Sequence, residues 1–251
     1  MVFGVIVVAH AFAGAWIVES WRSNDPAKGV ADLKAVQWNV GRPVRGLRGT
    51  AARIREFNAD IVTVAEPMPR EEKTAPSRLA ELKDEWRREF PDYHAVFADG
   101  NLLLLVRGEV TAEKHDDLDE GSFYALYDLE VKGHSLRLLQ ADINGRPTRS
   151  RRVALAALVQ LADSLRDKPL IIAGDLNTPR DSAFFDPLRK HHFHAWEQAG
   201  IRGADTWPWP VPVLSIDQIW TNGLLKPLRC ETAGNWRSDH LWVEADFLFN
   251  R

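Results

Sequence analysis

The stretch Leu170-Ile171-Ile172-Ala173-Gly174-Asp175-Leu176-Asn177-Thr178-Pro179 decides how the chain is read. An apolar run ends at Gly174. Just beyond it a carboxylate and a carboxamide stand two positions apart, so the two-residue period of a strand can aim Asp175 and Asn177 the same way at its end. Open α/β sheets keep their chemistry at such ends. Gly, Asp and Asn are also ordinary turn formers, so the stretch gains weight only if other strand ends carry matching polar groups.

They do. Upstream, a helix is predicted from about Ser150 to Leu165, with Leu155, Leu158, Leu161 and Leu165 inward. Before it, 123–131 and 135–141 read as a hairpin about Lys132-Gly133-His134, ending at Asp142 with Asn144 two residues on. Near the start, 34–40 alternates like a half-buried strand, with Asn39 near its end. Thr50 is a plausible cap for a short helix through Ile54 and Phe57, and the strand 60–65 ends at Glu66, followed at once by Pro67. Ser77 opens a helix with Leu79, Leu82, Trp86 and Phe90 on one stripe, and 93–98 and 102–106 pair around Asp99-Gly100-Asn101.

Downstream come a loop from Thr178 to Asp186, a short helix, and the proline-rich run 206–212, which regular structure cannot accommodate. A strand over 214–220 carries Asp217 between apolar neighbours, and Ser238-Asp239-His240 leads into a last strand, 241–249. Hairpins mixed with helices predict a two-layer β core covered by helices.

With 251 residues, 45% of them hydrophobic, the chain suits one large globular domain. A net charge of −3 argues against a protein that holds nucleic acid by a global basic field, while leaving room for a local phosphate site. The single Cys230 excludes an intramolecular disulfide and a multi-cysteine zinc site. Residues 1–20 form an apolar N-terminal segment, free of Asp, Glu, Lys and Arg over 2–18. That segment reads as a membrane anchor or a signal in preference to a buried first element, because the polar pattern starts only after the spacer 19–32. Attachment to a membrane through 2–18, or export, follows from that reading, and a cytoplasmic location from the buried one.

The strand-end polar residues are therefore Asn39, Glu66, Asp142, Asp175, Asn177, Asp217, Asp239 and His240. Each alone has a bland reading as turn residue, solvated charge or helix cap. Together they put acids, carboxamides and one imidazole on the consecutive loops of one sheet core. Oxygen donors without cysteine suit Mg²⁺ or Mn²⁺ better than zinc.

Five short blocks in order, Gln-Trp-Asn at 37–39, Ala-Glu at 65–66, Gly-Asp-Leu-Asn at 174–177, Ile-Asp-Gln-Ile at 216–219 and Ser-Asp-His at 238–240, resemble the endonuclease/exonuclease/phosphatase superfamily of DNase I-like phosphoesterases. The resemblance implies a four-layer α/β/β/α sandwich over residues 33–251 and hydrolysis of a phosphodiester or phosphomonoester by metal-assisted water. It implies that Glu66 ligates a divalent metal, with Asn39 and Asp239 lining the same site. It further implies that Asp175 readies the water, that Asn177 holds a phosphate oxygen, and that His240 pairs with Asp217. Where many members carry a His, this chain has Asp142, which makes it a water or second-metal ligand or a positioning residue.

Outside those blocks, Arg42, Arg45, Arg48, Arg53 and Arg55, and then Arg146, Arg149, Arg151 and Arg152, follow strand ends that should border the site. Arg42 and Arg149, with Asp142 and Asn144, are the expected substrate contacts, an anion funnel in an acidic chain. The Trp207-Pro208-Trp209-Pro210 loop reads as packing over a sheet edge, with a substrate lip or a membrane contact as alternatives. His191, His192 and His194 read as a polar helix end. The expected partner is a phosphate ester, of nucleic acid or of a lipid or small molecule, acted on by a monomer. The competing function is a catalytically inactive phosphate-binding or scaffolding module on the same fold.

Overall fold

The computed structural model describes residues 29–69 and 74–250, so the apolar segment at 2–18 lies outside the described residues. Two six-stranded sheets make the core. The first contains β1 (Leu33–Asn39), β2 (Ile61–Ala65), β3 (His94–Ala98), β4 (Leu102–Val106), β11 (Leu225–Ala233) and β12 (Trp242–Phe249), in the order β11-β12-β1-β2-β4-β3. The second contains β5 (Glu109–Asp119), β6 (Ser122–Val131), β7 (His134–Asp142), β8 (Leu170–Asp175), β9 (His192–His194) and β10 (Asp217–Asn222), in the order β5-β6-β7-β8-β10-β9.

Strand alternation sorts the side chains into layers. Leu33 and Ala35 of β1 meet Ile171 and Ala173 of β8 between the sheets, while Val36 and Trp38 turn outward. Helices α1 (Leu47–Phe57) and α2 (Pro76–Glu89) cover that outer face through Ile54, Phe57, Trp86 and Phe90. On the far side, Leu170 and Ile172 pack under α3 (Arg152–Ser164) through Leu155 and Leu158. The result is the α/β/β/α sandwich. A short α4 (Ala195–Ala199) packs against β10 and β11. Among the described residues no helix is long and apolar enough to cross a membrane.

Several expectations shift in detail. α1 begins at Leu47, and Thr50 sits inside it with its hydroxyl toward the Gly46 carbonyl. β10 begins at Asp217; the residues before it are held by Thr206, whose Oγ1 accepts from the Ile216 and Asp217 amides. Loop and short helix after Asn177 are two 3-10 turns, Ala183–Phe185 and Leu188–Lys190. The histidine cluster does mark helix ends, His191 closing the second 3-10 turn and His194 capping α4, and between them 192–194 adds an edge strand, β9, whose backbone pairs with Trp220, Thr221 and Asn222. Strands β5 and β11 have no counterpart in the reading of the sequence. β5 is a solvated edge strand with charges on both faces, so it lacks the alternation that marks a half-buried strand.

What matters for the site is register. β1 and β2 run parallel with Asn39 opposite Ala65, so Asn39 and Glu66 leave the first sheet side by side. In the second sheet Asp142 is opposite Asp175, and Asp175 is opposite Asp217. Three carboxylates thus stand in one row across three adjacent strands.

Candidate active site

A cavity of about 690 Å³ opens where these strand ends meet, lined by Asn39, Arg42, Glu66, Asp142, Asn144, Asp175, Asn177 and His240 among others. Its backbone is held in unusual conformations. Six non-glycine residues among those described have φ between 46° and 60°, and four of them, Arg42, Glu66, Asn101 and Asn177, border this cavity. Such strain persists where surrounding contacts over-determine it. Here Asn101 does so for the Glu66 turn: its carbonyl accepts from the Glu66 amide, and its side chain brackets the Met68 amide and carbonyl.

Asp175 is buried and its two oxygens are separately held. Asn39 Nδ2 donates to Oδ2 at 3.0 Å, and the Asn177 amide donates to Oδ1 at 3.0 Å. Burial raises its pKa first, and the Asp217 charge adds to this; His240 and the two donors oppose them, leaving the carboxyl at about 7. Next to it, Asp217 Oδ2 meets His240 Nδ1 at 2.8 Å. Burial works against a charged imidazole, but the charge and hydrogen bond of Asp217, joined by Asp175 and Asp239, outweigh it and lift His240 to about 10. His240 is anchored through its amide to Ser238 Oγ, which in turn donates to the Asn39 carbonyl. The dyad and the Asp175 support are therefore one connected structure.

Asp142 is raised well above the usual carboxylate range, by burial first and then by Asp175 and Glu66. Glu66 meets Arg42 Nη1 at 2.6 Å. Four carboxylates, Glu66, Asp142, Asp175 and Asp217, thus share two nearby cations, Arg42 and His240. In addition, Asp217 Oδ1 is buried without a hydrogen-bond partner. With all four ionised, the surplus of two negative charges among oxygen donors fits a hard dication, whose charge would oppose the upward shifts of Asp142 and Asp175. Asp175, Asp217 and His240 bring one donor atom each within 4.8 Å of one another. Nδ1 of His240, however, is already bonded to Asp217 and protonated, so that trio acts as a hydrogen-bonded pair beside a carboxylate. Glu66 and Asp142, with the Asn39 amide oxygen that also accepts from the Gly41 amide, are the better metal donors.

Of the other expected residues, Asn177 lies on the wall with one amide hydrogen committed to the Ile143 carbonyl at 2.7 Å. Asn144 lines the cavity too, and its Oδ1 accepts from the Arg146 amide. Asp239 borders a neighbouring cavity, where its Oδ2 accepts from Trp207 Nε1 at 3.1 Å, and it stands near enough to His240 for its charge to act there. Arg149 does not line the cavity either, since its guanidinium pairs with Glu120 at 2.7 Å; Arg146 is the arginine of that loop on the wall. Asn101 and Thr206 are supports that the sequence showed only as turn and loop residues.

With this geometry in hand, the comparison with known families is decisive. The model of the Endonuclease/Exonuclease/phosphatase family matches residues 36–240. The chain belongs to that family. Among solved structures, a family protein from Bacteroides thetaiotaomicron superposes with a TM-score of 0.72 at 12% identity, covering 87% of this chain and 98% of the other. A mannosyl-6-phosphatase from the same species gives 0.71 at 12%, covering 87% and 100%. The human Nocturnin catalytic domain with bound sulfate gives 0.66 at 17%, covering 87% and 94%. Identities this low establish the shared fold. No curated protein matches the chain.

Proposed function

We propose that the protein is a divalent-metal-dependent phosphoesterase that hydrolyses a phosphate mono- or diester by direct attack of water. The observation that carries this reading is the joining, in one cavity, of a carboxylate held at both oxygens by Asn39 and Asn177 with an imidazole bonded to the Asp217 carboxylate. Asp175, oriented by Asn39 and Asn177, takes the proton from water as its oxygen bonds to phosphorus, and a pKa of about 7 suits a general base. His240, kept cationic by Asp217, leaves Nε2 to donate to a phosphate oxygen as negative charge grows on it. Asn177's remaining amide hydrogen offers a second donor. When bound by Glu66, Asp142 and Asn39, Mg²⁺ or Mn²⁺ would act as Lewis acid and template, lowering the charge barrier to attack and to departure of the alcohol.

Support for catalysis over a mere phosphate-binding role comes from the strained, over-determined backbone and from the buried Asp217 Oδ1 that has no hydrogen-bond partner, both costly unless used. A panel of plasmid DNA, a nucleotide monophosphate, a sugar phosphate and a polyprenyl phosphate, each with Mg²⁺ and with EDTA, tests the reading. Turnover of at least one ester, abolished by EDTA and reduced ~10²–10⁴-fold by Asp175→Ala in folded protein, is the expected result. Folded protein idle on every ester would leave the binding-module reading in its place.

A further inference from the structure

Beside the catalytic cavity lies a second one of about 310 Å³, lined by Gly41, Val44, Arg45, Trp209, Trp236 and Asp239 with two neighbours. The two cavities share a wall, since Gly41 and Asp239 adjoin Arg42 and His240 of the first. Three loops, 40–46, 206–214 and 234–239, surround the smaller one. Nine large apolar side chains are exposed among the described residues, and four of them sit on these loops. Val44 is 81% exposed, Val211 70%, Trp236 64%, and Val213 is the fourth. Trp209 packs edge-on against Trp236 at 5.8 Å, which joins the 206–214 and 234–239 loops into one apolar lip beside Val44.

Charge on this lip runs against that of the whole chain. Arg45 and Arg237 have no ion-pair partner among the described residues, and Arg45 instead donates to the Trp236 carbonyl. The acid on the lip, Asp239, is engaged by Trp207. Exposed tryptophan and aliphatic side chains with arginines that lack ion pairs on the same loops are the composition that settles at a bilayer interface, apolar groups among the acyl chains and arginine at anionic headgroups. Single-stranded nucleic acid also binds aromatic and basic groups. It stacks on open ring faces, however, and would gain nothing from three solvent-facing valines.

We propose that this lip docks on an anionic lipid surface and presents the catalytic cavity to phosphate esters held in that surface. The proposal rests on the phosphoesterase reading for its substrate, while the docking itself is independent of turnover. Bound this way, the enzyme would receive an ester from the headgroup plane with its apolar part left in the bilayer.

Single-cysteine labelling of the full chain with an environment-sensitive fluorophore tests the docking. Cys230 is fully buried and its thiol is pushed up by burial, so it stays unlabelled. Probes are placed by Val211→Cys and Trp236→Cys on the lip, and by Phe193→Cys on β9, an exposed apolar position at the opposite end of β10. Vesicles of phosphatidylcholine with a minority of phosphatidylglycerol should shift emission to the blue and raise it at both lip positions, with no change at 193. Pure phosphatidylcholine should do so less. Lip probes that stay in water, or a probe at 193 that responds equally, would overturn the proposal. So would a response to oligothymidylate in place of vesicles, which would make the lip a nucleic-acid surface. None of these outcomes depends on hydrolysis, so failure of docking and failure of catalysis are told apart.

Discussion

The two ends of β10 hold buried histidines in opposite states. At one end, the first residue of the strand, Asp217, bonds His240 and keeps it charged. At the other, Trp220 pairs with His194 of β9, whose ring stands edge-on to the Trp220 indole at 4.9 Å. His194 is held well below its usual range, by burial first and then by the Arg180 and Arg189 charges. Its Nδ1 accepts from the Glu197 amide at the start of α4, a role that requires the neutral ring. Arg180 and Arg189 both reach Glu197 and lie over the Trp196 and Trp220 rings. One end of the strand satisfies its charges among protein groups, and the other leaves acids in excess. That surplus marks the end that meets a ligand.

The largest effect should come from breaking the charged end. Asp217→Asn removes the charge that keeps His240 protonated, so kcat on the best ester should fall ~10²–10⁴-fold while the fold persists. His194→Gln, opposite Trp220 and so three residues along β10 from Asp217, should leave kcat unchanged. Equal losses from both variants would mean that the dyad acts only through structure.

The contrast between these ends was partly visible in the residues alone. Asn39, Glu66, Asp142 and Asp175 were legible as strand-end groups because short apolar runs mark strand ends well, whereas Asp217 read as the middle of a strand over 214–220 and in fact begins β10. Their convergence was legible only through the order of the blocks, since the pairing of Asp142 with Asp175 and Asp217 is a matter of register between distant segments. Asp239 was placed by the resemblance and Arg149 by its position after a strand end; Trp207 engages the first and Glu120 pairs with the second, and nothing local foretells those partners. The helix ends at His191 and His194 were legible, while the strand 192–194 between them was not, because three residues are too few to show a period.

The second effect is on stability against pH, measured as thermal unfolding in EDTA. His240, raised to about 10, contributes stability that is complete below its unfolded pKa near 6.5 and lost as pH climbs toward 10. His194 has the opposite sign: the unfolded chain takes up its proton below about 6.5 while the folded one resists, so stability is lost as pH falls through that range. Asp217→Asn should flatten the alkaline fall and His194→Gln the acid one. Each limb is expected to span on the order of a few kcal/mol at most. If one variant altered both limbs, the two ends would be coupled.

The smallest effect separates arginines that serve the protein from those that serve a ligand. Arg189 at the far end is committed to Glu197 and Arg149 to Glu120, whereas Arg146 lines the catalytic cavity with no ion pair among the described residues. Arg146→Gln should remove a partly solvated phosphate contact of about 1 kcal/mol, a rise in KM of roughly fivefold with kcat little changed. Arg149→Gln and Arg189→Gln should each leave KM where it was, because a surface pair contributes about 0–1 kcal/mol to stability and nothing to the ester. A KM that rose with Arg149→Gln and not with Arg146→Gln would mean that the loop after Asp142 turns its other arginine inward when an ester binds.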